Sequence, residues 1–95
     1  MDEPTYRELT AEFTDFEERR VEKAFHFRKP GADVIGRAMK EIGKDTLRGM
    51  RNLCMSLVKP EQRDDLKQAV EDYPGLAGKF ANTLLEAVGF DALGK

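Results

Sequence analysis

Apolar residues recur at intervals of three and four through most of this 95-residue chain, and that period constrains its fold more than any other feature. Val34, Ile35, Ala38, Met39, Ile42, Leu47, Met50, Leu53, Cys54, Leu57 and Val58 keep it through the middle of the chain. Gly43, Lys44 and Asp45 interrupt this stretch, with Asp45 suited to cap a second helix, so the pattern leaves open one kinked helix or two. Pro60 opens the next helix, whose inward stripe is Leu66, Ala69, Val70 and Tyr73, and Tyr73-Pro74-Gly75 stops it. A last helix buries Leu76, Ala77, Phe80, Ala81, Leu84, Leu85 and Val88, with Gly89 as its C-terminal glycine and Phe90 to Lys95 as a short tail. The fold class expected is all-α, a single domain over residues 1–95 built as a bundle of four or five helices, with its core in residues 31–89.

The first 30 residues are less regular. Tyr6, Leu9, Phe13 and Phe16 are spaced as one stripe of a helix, opened by Pro4, so residues 1–20 read as an acidic N-terminal helix or arm. The stripe is narrow, and a helix resting on it needs a partner surface; these four residues are therefore the expected self-association site of a homo-oligomer. Residues 24–29 allow two readings. Phe25 and Phe27 alternate with His26 and Arg28 as in a short strand, or they close a frayed helix end. A lone strand in a helical chain would have to pair with a strand of another molecule.

Charge is distributed unevenly. Residues 1–18 hold seven acids against Arg7 alone, and residues 19–51 hold ten Lys or Arg against four acids, although the chain carries only −2 overall. Arg37, Lys40, Lys44, Arg48 and Arg51 fall along one side of a continuous helix. Such a stripe can follow a phosphate backbone, which makes a small helical regulator of nucleic acid the alternative reading. The net acidity and the lack of interleaved aromatics weigh against it, so nucleic acid is not the expected partner. An acidic protein surface fits the stripe better.

Few side chains here are equipped for catalysis. The chain holds one cysteine, one histidine and no tryptophan, and Ser56 is its only serine. Cys54 lies on an apolar stripe with no base in view, and His26 has no second His or Cys to share a metal. Asp64-Asp65 and Glu71-Asp72 are neighbours in sequence, so on a helix they point about 100° apart and do not converge as a catalytic pair. No enzyme, cofactor or metal is expected. A lone cysteine, no basic-then-apolar leader and no apolar run near 20 residues point to a cytoplasmic protein without a membrane span.

Four stretches resemble the small tail assembly chaperones of bacteriophages and prophages. They are Phe25-His26-Phe27-Arg28-Lys29-Pro30, the run from Asp45 to Val58 leading into Pro60-Glu61-Gln62-Arg63, Glu71 to Leu76, and the closing helix around Asn82, Leu84 and Leu85. The long acidic arm before Val21 departs from that pattern. The resemblance implies a non-enzymatic assembly protein whose client is a tail protein such as the tape measure protein. The expected function is therefore a protein-binding module. Its expected docking face is Phe25, Phe27, Arg28 and Pro30 with the adjoining Arg37, Lys40 and Lys44, because aromatic and Arg side chains anchor most interfaces.

Overall fold

The computed structural model describes residues 5–90; Pro4 and the tail at 91–95 lie outside the described residues. The chain is α+β, which overturns the all-α expectation. An antiparallel hairpin of β1 (Tyr6–Thr14) and β2 (Arg20–Arg28) is followed by four helices, α1 (Ala32–Lys44), α2 (Thr46–Leu57), α3 (Arg63–Asp72) and α4 (Leu76–Glu86). A single 3₁₀ turn, Pro60–Gln62, leads into α3.

The expected N-terminal helix is a strand, for a reason that can be read from its burial. Leu9, Ala11 and Phe13 turn inward while Glu8, Thr10, Glu12 and Thr14 face solvent, a period of two. Leu9 and Phe13 are four apart, a spacing that one helical turn and two strand repeats share. Tyr6 and Phe16 then fall off the stripe, Tyr6 on the opposite sheet face and Phe16 in the turn. Register pairs Leu9 with Phe25 and Phe13 with Val21, so both strands present apolar side chains on one face. Asp15 organises the turn. Its N–H donates to the Arg19 carbonyl at 2.9 Å, its carbonyl accepts from the Glu18 N–H at 3.0 Å, and its carboxylate accepts from the Arg19 N–H at 2.8 Å. Glu18 closes the turn at φ 65°, the left-handed position required where a tight turn is followed by a bulge.

Residues 24–28 are strand, and the strand is not alone. Besides β1, its far edge is met by the Lys59 N–H, which donates to the His26 carbonyl at 2.8 Å, and by Gln62, whose Oε1 accepts from the His26 N–H at 2.7 Å. This segment therefore has its backbone partners within its own chain.

The helices follow their apolar periods. Residues 34–58 form two helices, broken at Asp45, whose carboxylate caps α2 by accepting the Arg48 N–H at 3.2 Å. Gly43 stays within α1. The two helices double back on each other, Glu41 accepting from the Asn52 side chain at 2.8 Å, and they touch so closely at Gly49 that a Cβ there would overlap the backbone of Ile42. Gly89, at φ 102°, ends the last helix; its N–H donates to Glu86 and the Phe90 N–H to Leu85.

The core lies between the inner face of the hairpin and helices α2 and α4. Phe80 stands at its centre, 5.8 Å from the Phe25 ring in an edge-on contact and 5.2 Å from Phe27. Helix α1 sits outside, packed on α2, and buries fully only Ala38. Among the described residues no helix is long and apolar enough to cross a membrane.

Candidate interaction surface

The fold redistributes the residues singled out for binding. Phe25 and Phe27 are only 6% and 2% exposed, and Pro30 is buried beside them. Their pairing with Phe80 makes them core rather than surface. Arg28 remains exposed, its guanidinium donating to the Ser56 carbonyl at 3.3 Å. Arg37, Lys40 and Lys44 are exposed on α1, but Arg48 and Arg51 belong to the returning helix, so the five cations do not line one continuous helix.

The four residues assigned to self-association separate likewise. Leu9 is core, Phe13 packs edge-on against Tyr73 at 5.1 Å, and Tyr6 lies on the solvent face with the Lys59 ammonium 5.9 Å from its ring. Phe16 is 96% exposed at the apex of the hairpin turn. A fully exposed phenylalanine on a turn held by backbone and carboxylate hydrogen bonds is an unusual use of an aromatic side chain. Of its flanks Asp15 favours a turn, whereas Glu17, Glu18 and Arg19 suit a helix equally well.

Asp15 and Glu17 reach Arg19 at 3.2 Å each. The Arg19 N–H holds the Asp15 carboxyl below its ordinary range. On the outer sheet face Glu12 and Glu22 are cross-strand partners that share a hydrogen bond. Glu22 is raised by the bond and charge of Glu12, whereas Glu12 is lowered by Glu22 and by Arg20, 3.0 Å away.

Three of the grooves around this hairpin and its supports have apolar floors. One of about 430 Å³ runs between the tip and the α3–α4 corner, over Phe13, Tyr73, Pro74 and Leu76, with Asp15, Glu17, Asp72 and Lys79 around it. A second, of about 460 Å³, lies between α2 and α3, where Leu47, Val70 and Pro74 are flanked by Asp45, Arg48, Arg51 and Glu71. The third, of about 390 Å³, opens at the base of the hairpin on Leu9, Phe27, Pro30 and Leu84, and its charged lining is Arg7, Arg28 and Lys29. Cys54 lines none of these grooves; it is fully buried, its Sγ 3.5 Å from the Ala77 carbonyl. His26 touches the grooves equally little and meets its neighbours through its backbone. Among the described residues no group of three His, Cys, Asp or Glu converges as metal ligands would.

These features define a small α+β protein in which helices cover one face of a single hairpin. The sequence matches the family described as a domain of unknown function (DUF6848) over residues 5–94, and the chain belongs to that family. It is also similar to a solved structure, that of the uncharacterised protein rbstp2171 from Bacillus stearothermophilus. The two are 32% identical with a TM-score of 0.74, over 94% of this chain and 88% of that one. No curated protein matches the chain. These matches lend no support to a tie with phage tail assembly.

Proposed function

We propose that this protein is a non-enzymatic interaction module that binds protein partners through the aromatic tip of its hairpin. The observation that carries this reading is Phe16, left 96% exposed on a turn whose geometry is fixed from within. Preorganised aromatic side chains are effective anchors, because little conformational freedom is lost when they dock. The neighbouring grooves support the reading, since each offers an apolar floor beside charged side chains. Arg28, from the docking set expected in the sequence, remains part of it at the base of the hairpin.

The test is capture and titration of partners with the wild-type chain and with Phe16→Ala. The substitution removes no intramolecular packing, so its melting temperature should stay within about 1 °C of wild type, as for surface changes generally. Partner affinity should fall at least about tenfold, consistent with an anchor residue. Unchanged affinity for every recovered partner would show that the tip is not the binding element.

A further inference from the structure

The three grooves differ in the sign of their rims. Carboxylates stand at the edges of the tip groove and of the α2–α3 groove, whereas the charged side chains lining the base groove are all cationic: Arg7, Arg28 and Lys29. The hairpin tip presents exposed Phe16 beside the exposed carboxylates of Glu17 and Glu18, with Asp15 and Glu17 paired to Arg19 and with Lys79 across the tip groove. An apolar floor ringed by cations matches an exposed aromatic flanked by the Glu17 and Glu18 carboxylates. Tip and groove cannot meet within one molecule. They lie at opposite ends of the same hairpin, where Thr14 pairs with Arg20 at one end and Tyr6 with Arg28 at the other. Nine strand residues separate them by about 27 Å.

Resting on the binding role proposed above, we propose that two copies of this chain associate about a two-fold axis, the Phe16 tip of each seated in the Arg7, Arg28 and Lys29 groove of the other. A two-fold axis across the hairpin exchanges tip and base, so both contacts form at once and the pair closes without propagating into a filament. Two small contacts make an interface at the low end of the size range, so the dimer is weak and concentration-dependent. Its attraction is largely between exposed charges, so it weakens as salt rises.

Sedimentation of the full chain across a concentration series, at low and high salt, measures the association. A tip reversal, Glu17→Lys with Glu18→Lys, and a base reversal, Arg7→Glu with Lys29→Glu, change only exposed residues, and circular dichroism checks that each folds. Each variant alone should associate at least about tenfold more weakly than wild type, because like charges now face each other. Mixing the two should restore a one-to-one pair, since a cationic tip then meets an anionic base and the reverse. Phe16→Ala should abolish association without lowering the melting temperature. A wild-type chain that stays monomeric at about 1 mM, where even weak encounters populate, overturns the proposal; so does a dimer indifferent to both reversals. A monomeric wild type that binds another protein in a Phe16-dependent way refutes self-docking and leaves the binding role standing.

Discussion

Cys54 shows how a residue's position in the core rewrites its chemistry. A free thiol ionises near pH 8.5, but burial without a cationic neighbour pushes this one up to about 12. Because the folded value is raised, the contribution is fully present below about pH 8.5 and is lost as pH climbs toward 12, where the unfolded thiol ionises first. Denaturant titrations from pH 8 to 11 should therefore show wild type losing stability relative to Cys54→Ala at up to about 1.4 kcal/mol per pH unit. Parallel pH profiles for the two proteins would mean that the thiol ionises as readily folded as unfolded. The residue was legible as a small buried hydrophobe from its place between Met50 and Val58. Phe16 was not legible in the same way, because its spacing from Phe13 fits a helix and only Asp15 beside it marks a turn.

At the scale of elements, the joint between α1 and α2 carries the clearest local constraint. Asp45 stops one helix and starts the next, and Gly49 lets the returning helix approach Ile42. Gly49→Ala should cost about 3 kcal/mol, at the upper end of overpacking, since the group it meets is backbone and cannot rotate away. Gly36→Ala is the matching control on α1. With nothing within 4 Å of its Cβ, that change should stabilise by about 0.5–1 kcal/mol, the ordinary helical preference for alanine. Urea denaturation of both variants measures the difference, and equal effects would show that the close approach is not tight. Asp45 was visible in the sequence as a cap candidate. The function of Gly49 was not, because its need arises from a residue on another helix.

For the whole molecule, Phe80 ties the hairpin to the helices. A two-stranded sheet is marginal by itself, so β1 and β2 depend on α4 for the apolar surface under them. Phe80→Ala removes the ring that contacts both Phe25 and Phe27 and should lower stability by about 3–5 kcal/mol. Amide exchange should show protection lost in both strands together with α4. Loss confined to α4 would mean that the hairpin stands independently.

The helical part of this protein was determined locally. Apolar residues at three-and-four spacing from Val34 to Val58, from Leu66 to Tyr73 and from Leu76 to Val88, punctuated by Asp45, Pro60, Pro74-Gly75 and Gly89, recur as helices and boundaries in the structure. The strand at residues 6–14 was decided by tertiary structure, and the strand reading of Phe25 and Phe27, one of two the sequence allowed, was selected by it. Leu9 and Phe13 satisfy a helix and a strand alike, because four residues are both one helical turn and two strand repeats. Contacts distant in sequence made the choice: Leu9 against Phe25 across the hairpin, and both strands against α4. The same contacts drew Phe25 and Phe27 into the core and left Phe16 outside. A sequence period specifies which residues share a face, whereas what that face packs against depends on partners the period does not contain.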